Sequence, residues 1–600
     1  MKSEELEQLS RRQALKTATA GAVAVGVASI GHLIADDEPK ASKESTLKED
    51  LTLVREGRAL AIVTVEKEAT AAEQRGAREL RDHLEQLSGA RLEIAGDATE
   101  KVEIRVAFDA KLGPEEYRLK TGTRQVLVTG GRPRGVLYGC YELLERLGLR
   151  WYTPTATSIP KRATVTVPPL DERGAPVFEN RHVMSTESDD PDWAARSRLN
   201  GASKRLDASY GGSFLYHPFV HSLNEVVPGT LRKQHPEYFP LIDGERFIAT
   251  DAKHTFEGVQ RCLTNPDVVR LAVAKVRQWI KEVPNARIIS VSQNDGDGWC
   301  ECDDCRKIVD NHGARSGVLL AFVNEVAAAI AKDHPEKLID TIAYGETEAP
   351  PKGVSPRDNV SVRLCPIHVC HAHPLEICES PESRAFLGRL KGWAAITQNL
   401  AVWHYACPAH FLMPFPDFTS FPADLRLYRK HGATNIFVQG TFVPGGGQAD
   451  AELRAWVVSR LLWNPDADAD ALVTEWMKGV YGPAWEPMRT WFDRLHREAA
   501  DAKRHLYLQD NPFHSILTDE LRAAGDDLFE RAAKIADTDS RRNAVAKARL
   551  SLSYVKLQRA KVPGSDLEEF LALAKRFGLT HAAEGRPLED WAGELRKRGK

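Results

Sequence analysis

The spacing of apolar residues changes twice along this chain, and each change marks a different kind of structure. Up to about residue 170, short apolar runs alternate with amphipathic stretches. Ala59 to Val65, Val102 to Ala107 and Gln125 to Thr129 read as strands, whereas Ala72, Leu80, Leu84 and Leu87 recur at helical spacing, as do Val136, Leu137, Tyr141, Leu143 and Leu144. Between residues 175 and 465 the pattern predicts strands at Ile288 to Ser292, Ile339 to Tyr344, Val360 to Leu364, Leu400 to Trp403 and Asn435 to Gln439. Helices are predicted between them, at Val268 to Glu282, Leu319 to Asp333, Arg384 to Trp393 and Ala423 to His431. Such alternation belongs to parallel βα units. Beyond residue 466 only helical stripes remain, such as Leu472, Trp476 and Val480, or Trp491, Phe492 and Leu495, with no strand pattern.

The expected fold class is therefore α/β in three parts. A small α/β N-terminal domain (residues 51–172) precedes a central (β/α)8-type barrel (173–465) and a C-terminal α-helical domain (466–600). A doubly wound open sheet is the competing arrangement for the middle part. A length of 600 residues suits several domains rather than one core.

Residues 1–35 stand apart. Ser10-Arg11-Arg12-Gln13-Ala14-Leu15-Lys16 leads into an Ala- and Gly-rich run from Ala18 to Ala35, the pattern of a twin-arginine export signal. Gly21, Gly26, Gly31 and His32 make that run too weakly apolar for a membrane helix. Residues 36–50 read as a polar linker. The expectation is a protein exported to the periplasm or beyond, with no membrane contact once the signal is removed.

Charge narrows the partners. A formal net charge of -3 gives no electrostatic reason to bind nucleic acid, and a neutral or weakly charged substrate suits it better. Nine cysteines in an exported chain suggest disulfides, but a twin-arginine substrate folds before export in a reducing compartment, so metal ligation stays open.

The densest chemistry lies in RIISVSQNDGDGWCECDDC, Arg287 to Cys305, where a predicted strand empties into polar, acidic, aromatic and thiol groups. In a barrel the carboxyl ends of different strands share one face. Gln293-Asn294-Asp295, Tyr344 to Glu348, His368, Trp403-His404-Tyr405 and Gln439 would then surround one pocket. Trp299, Trp403 and Tyr405 offer flat faces for sugar rings, while Asn294, His368, His404 and Gln439 can bond hydroxyls. Glycosidic cleavage needs two carboxyl functions, for which Asp295, Glu346 and Glu348 are the candidates. His368, His371 and His373 lack the spacing of a zinc protease. Cys300, Cys302 and Cys305, with Cys262 upstream, form either a closed structural zinc site or disulfides. No cofactor is required for the chemistry.

Two stretches carry resemblances. EEYRLKTGTRQVLVTGGRPRGVLYGCYELLERLGLRWYTP resembles the non-catalytic domain that precedes the barrel in β-hexosaminidases and α-glucuronidases. VSQNDGDGWCECDDC, CLTNPDV, WHYACPAHFLMPFPDF and LLWNPDADADALVTEWMKGVYGPAW together resemble the bacterial domain of unknown function 4838, which is related to glycoside hydrolase family 163, a family of endo-β-N-acetylglucosaminidases.

The resemblance implies a secreted glycosidase acting on N-acetylglucosamine-containing glycans. On the hexosaminidase analogy the sugar's own acetamide attacks the anomeric carbon, Asp295 beside Asn294 orients it, and Glu346 or Glu348 is the acid/base. The hexosaminidase Asp-Glu pair is here Asn-Asp, so the acid must come from another strand end. An α-glucuronidase-like hydrolase is the second reading, requiring Arg181 or Arg363 in the pocket to pair a uronate. A non-catalytic carbohydrate-binding protein is the third.

Overall fold

The computed structural model describes residues 49–600, apart from 98–99, 202–205, 248, 251–254, 256, 444, 446–449, 562–563 and 599–600. The export-signal segment and all but the last two residues of the linker lie outside the described residues.

Three of the six strands of the first sheet, and both of its helices, appear where the apolar spacing placed elements or within a few residues of them. β1 (Ala61–Val65), β2 (Ile94–Ala95), β3 (Val102–Phe108), β4 (Tyr117–Thr121), β5 (Gln125–Gly130) and β6 (Asp171–Gly174) form one mixed sheet in the order β6-β4-β5-β3-β1-β2. α1 (Ala71–Ser88) opens on a capping box, in which Thr70 accepts from the Glu73 N–H and the Glu73 carboxylate accepts from the Thr70 N–H. It ends at Gly89, whose φ of 78° is left-handed. α2 (Gly135–Arg146) lies on the same sheet, and Gly139 is what lets it. A Cβ there would sit 3.0 Å from Val128 and 3.1 Å from Tyr117.

The middle of the chain builds a second sheet of six strands, every neighbouring pair parallel. β7 (Asn180–Met184), β8 (Ile288–Ser290), β9 (Leu338–Ala343), β10 (Val360–Leu364), β11 (Leu400–Tyr405) and β12 (Ala433–Gln439) run in the order β7-β12-β11-β10-β9-β8. α3 (Pro266–Glu282), α4 (Asp303–His312), α5 (Ser316–Ile330), α6 (Pro381–Ala394), α7 (Ser420–Lys430) and α8 (Ala451–Trp463) connect or flank them. α3 starts on an Asn265 cap with Pro266 at its first position, which its sequence announces.

This is a parallel half-barrel, not eight regular strands. Between the edge strands β7 and β8 the ring continues through irregular backbone. Gly201 N–H donates to Arg181 O, Phe214 N–H to Asn200 O, Arg287 N–H to Leu215 O and His217 N–H to Ile288 O. Tyr216 and Ile288 make one isolated parallel bridge. The segments that fill the gap carry Gly201, Gly211, Gly212 and the Pro218 imide, which disfavour long ladders.

The carboxyl-terminal part is mostly helical, as expected. α9 (Ala469–Tyr481), α10 (Trp485–Ala499), α11 (Asp519–Ile535), α12 (Asp539–Arg559), α13 (Gly564–Arg576) and α14 (Leu588–Arg598) pack by their apolar stripes. One correction is needed, because a small hairpin, His581–Ala583 paired with Arg586–Pro587, interrupts the helices. Its Glu584-Gly585 turn, with Gly585 at φ 64°, is too short to show a strand period. Among the described residues no single helix is long and apolar enough to cross a membrane.

The three parts are packed against one another. Glu115, from the first sheet's side, bonds Arg134 at 2.5 Å and Arg181 of β7 at 2.7 Å. Burial pushes the Glu115 carboxyl up, but the two guanidinium charges outweigh it and hold its pKa at about 2. Trp463 at the end of α8 stacks on Tyr117 and meets Tyr138 edge-on, and Trp476 of α9 donates to Tyr152 O. At the opposite end of the sheet, Glu584 N–H donates to Ala409 O, Ala409 N–H to Leu508 O and His371 N–H to Leu506 O. The helical part therefore covers the carboxyl ends of the strands.

Candidate active site

Alternation along the central strands decides which side chains reach the carboxyl face. On β9 and just beyond it, Asp340, Ile342 and Tyr344 point into the ring. Arg363 and Cys365, then Trp403 and Tyr405, and Phe437 and Gln439 do the same on the next strands. The lower layer is closed. Arg363, 1% exposed, bonds Asp340 at 2.6 Å and lies against the rings of Tyr216 and Phe219. Above it Ile342, Cys365, Tyr405 and Leu508 form a small apolar cluster against which Tyr344, Ile367 and Trp403 pack. Trp403 stacks on Tyr405 with ring centroids 6.1 Å apart and donates from Nε1 to Gln439 Oε1 at 2.9 Å. This makes an aromatic platform with its polar edge already bonded.

Asp295 stands beside that platform, exposed, on a loop that is rigidly held. Gln260 clamps the loop from beneath. Its Oε1 accepts from Asn294 N–H at 2.9 Å, and its Nε2 donates to Asn294 O at 3.1 Å and Gly296 O at 2.7 Å. Gly296 permits the close passage, since a Cβ there would fall 2.9 Å from the Gly258 carbonyl oxygen. Asn294 is fully buried, its amide donating to Val259 O and Asn224 Oδ1 while its own oxygen accepts from Asn224 N–H. It therefore fixes Asp295 in place and has no free group for a sugar, unlike the expectation from its sequence position.

Asp295 faces groups from two distant parts of the chain. Burial, then the Asp295 charge, raises the Tyr344 phenol above its ordinary pKa. Burial, then the same charge, raises the Glu584 carboxyl. Glu584 comes from the hairpin turn in the helical part, remains exposed, and also acts electrostatically on Tyr344. Two carboxyls and a phenol thus lie within electrostatic reach of one another beside the Trp403–Tyr405 pair. His221 borders the group, its ring 6.4 Å from that of Tyr344 and its Nδ1 2.8 Å from Gln293 O.

The other expected site residues fall elsewhere. A 3-10 turn, Gly345–Thr347, swings the chain outward after Tyr344. Glu346 then pairs with Arg315 at 2.5 Å on the outer layer. Glu348 is 4% exposed and bonded to Arg389 of α6, with burial raising its pKa to about 7 against the opposing charge of Arg389. Neither is turned toward Asp295. His404 points away from the ring, packing on Phe421 and bonding the Tyr428 hydroxyl at 3.1 Å, and burial drives its proton affinity well down. Trp299 is 6% exposed and belongs to the main core. His368 is exposed on the loop after β10, while His371 is buried against Phe415. The arginines that a uronate would need are committed, Arg363 to Asp340 and Arg181 to Glu115.

Cys262, Cys300, Cys302 and Cys305 come together, their sulfurs all within 4.8 Å of one another and that of Cys262 3.8 Å from that of Cys302. All four are free thiols. A tetrahedral zinc–thiolate site needs sulfurs about 3.8 Å apart, so the set fits a closed metal site. Leu241 N–H donates to Cys300 Sγ at 3.3 Å, a bond that favours a thiolate.

A cavity of about 1180 Å³ lies at the other end of the molecule. Thr70, Glu115, Arg134, Glu179, Asn285 and Arg287 are among its walls, so it follows the seam between the two sheets at the amino ends of the strands. It contains none of the groups that meet at Asp295.

Residues 151–493 match the domain of unknown function DUF4838, and residues 41–161 match domain 2 of glycosyl hydrolase family 20. None of the curated proteins matches the chain. Among solved structures, the chain is similar to a family GH115 4-O-methyl-α-glucuronidase with specificity for decorated arabinogalactans. The two share 14% identity over 92% of this chain and 76% of that one, with a TM-score of 0.54. It is also similar to a GH138 enzyme targeting pectin rhamnogalacturonan II, at 11% identity over 90% of this chain and 98% of that one, with a TM-score of 0.50. At such identities the likeness is one of fold.

Proposed function

The chain belongs to the DUF4838 family, and on that footing we propose that it is a glycoside hydrolase working at the carboxyl face of the half-barrel. The observation that carries this reading is the electrostatic coupling of Asp295 with Glu584 and Tyr344 beside the Trp403–Tyr405 pair. Glycosidic cleavage asks for two carboxyl functions, one to protonate the leaving oxygen and one to stabilise positive charge at the anomeric carbon.

Glu584, whose carboxyl is raised, is assigned as the acid that donates a proton to the leaving oxygen and recovers one from water. Asp295 is assigned as the ionised partner, on a loop held by Gln260 and Asn294 and within electrostatic reach of the Tyr344 phenol. If the substrate carries a 2-acetamido group, Asp295 and Tyr344 orient it for attack on the anomeric carbon, and no enzyme nucleophile is needed. Trp403, backed by the buried Tyr405, supports the sugar ring, with Gln439 fixing the indole. N-acetylglucosamine-containing glycans are the proposed substrates.

The two arginines that would have favoured an α-glucuronidase reading, Arg181 and Arg363, are both buried in ion pairs. The four-cysteine cluster is proposed as a structural zinc site that stiffens the loop leading away from Asp295. Export by the twin-arginine route, with the chain folded and metal-loaded beforehand, is part of the same proposal.

The test is hydrolysis of a panel of aryl glycosides and glycans followed by mass spectrometry of the products. Release of an N-acetylhexosamine or of a chitobiose-type core supports the reading. Binding without turnover on every substrate would replace it with that of a carbohydrate-binding protein.

A further inference from the structure

A second group of metal-binding side chains lies on the far side of the carboxyl face, away from the four cysteines. Cys370, His373 and Cys378 come from the loop that follows β10, and His505 comes from the segment between α10 and α11. Each offers one donor atom, and the four donors all lie within 4.8 Å of one another. Cys370 Sγ is 3.4 Å from His373 Nδ1, and Cys378 Sγ is 3.7 Å from His505 Nδ1. The two imidazoles meet edge to face, 5.4 Å between centroids at 86°.

These separations match a filled tetrahedron. With metal–sulfur bonds of about 2.3 Å and metal–nitrogen bonds of about 2.0–2.1 Å, sulfur and nitrogen ligands of one zinc ion stand roughly 3.5 Å apart. Two thiolates and two imidazoles in that geometry favour zinc over the oxygen-seeking cations. We propose that Cys370, His373, Cys378 and His505 form a second, structural zinc site that fastens the helical part of the chain to the rim of the half-barrel.

The surroundings support a bound cation rather than four uncharged side chains in contact. Both thiols are buried, Cys370 fully. Leu506 N–H donates to Cys370 Sγ at 3.5 Å, as Leu241 N–H does to Cys300 in the first cluster. A backbone N–H aimed at sulfur favours a thiolate, and a buried thiolate needs a compensating cation. The Nε2 of His373 is itself buried without a hydrogen-bond partner, so its ring is not held there by protein bonds on both sides.

The location gives the site a purpose. The 365–380 loop and the 500–518 segment have no regular elements apart from short turns, so no ladder joins them. Their backbone link is the bond from His371 N–H to Leu506 O at 2.7 Å. A zinc ion ligated from both segments closes a contact across the sheet–cover boundary, and all four positions are filled by protein, which leaves none for water or substrate.

Metal analysis of the full chain, purified without chelator, tests this. About two zinc ions per chain are expected when both clusters are filled, and zinc X-ray absorption of the parent protein should show an averaged shell of sulfur with a minority of nitrogen. His505→Ala and Cys378→Ser should each lose one zinc equivalent, while His505→Cys, which keeps a donor, should retain it. Cys302→Ser should lose the other equivalent and leave the nitrogen contribution in place. A sulfur-only shell in the parent, unchanged zinc content in His505→Ala, or a Cys370–Cys378 disulfide in peptides of the unreduced protein would each overturn the proposal.

Discussion

Burial, and then the charge of Asp295, raises the proton affinity of Glu584, although Asp295 follows a strand of the half-barrel and Glu584 sits in a hairpin turn among the last helices. The assignment of acid and base rests on this long-range approach. Asp295→Asn and Glu584→Gln are each expected to lower kcat/KM by about 100-fold or more on an activated glycoside, the usual scale for losing a positioned acid or base. Glu346→Gln, which alters only the pair with Arg315, should stay within a few-fold of the parent. Equal losses in all three variants would remove the assignment.

Trp403 and His404 are adjacent in sequence and opposite in direction. Trp403→Ala should raise KM for a glycan with little change in fold. His404→Phe should leave KM unaltered and change the acid limb of stability instead. Because burial keeps the His404 ring neutral in the folded protein, its contribution is complete above the unfolded pKa of about 6.5 and is lost as pH falls below it. Thermal unfolding between pH 7 and pH 4.5 should therefore fall less steeply in His404→Phe than in the parent.

Glu348 has the opposite sign. Its folded pKa of about 7 lies above the unfolded carboxyl value of about 4.3, so the folded state holds the proton more tightly. Stability on this account is greatest below about pH 4.3 and declines as pH rises through 7. The linkage amounts to roughly 4 kcal/mol at most. Glu348→Gln should flatten the decline and be more stable than the parent at pH 8 by about 1–3 kcal/mol, measured by denaturant unfolding. A parent profile that rises between pH 5 and 8 in step with this residue would contradict it.

Removal of metal from the four-cysteine cluster should be felt at Asp295. Cys302→Ser, or prolonged treatment with a strong chelator, is expected to lower activity while leaving far-ultraviolet circular dichroism nearly unchanged. Increased proteolysis between residues 293 and 305 should accompany the loss. Full activity in protein proven free of metal would show that Gln260 and Asn294 hold the loop unaided.

How far the sequence revealed this architecture depended on the element. Apolar runs separated by amphipathic helices announced β8 to β12 because parallel strands are buried on both faces. The strand-like stretch before β8 was illegible, since Phe214, Tyr216 and Phe219 fill the ring from irregular backbone bounded by glycines and Pro218. The strand ends that carry Asp295, Trp403, Tyr405 and Gln439 were readable. Strict alternation on β11 separates His404 from Trp403 and Tyr405, a cue available in the sequence. Glu346 and Glu348 were misplaced because Gly345, at φ 56°, turns the chain away immediately after Tyr344. Glu584 left no periodic signal, its approach to Asp295 being a product of tertiary packing alone.

The buried Glu115, bonded to Arg134 and Arg181, makes the first sheet and the half-barrel thermodynamically inseparable. A half-barrel severed from the residues before 173 would keep Arg181 at the base of β7 with no carboxylate to meet it, an uncompensated interior charge that costs several kcal/mol. The amino-terminal part therefore acts as a counterion for the part that carries the chemistry, and the two should melt in a single transition.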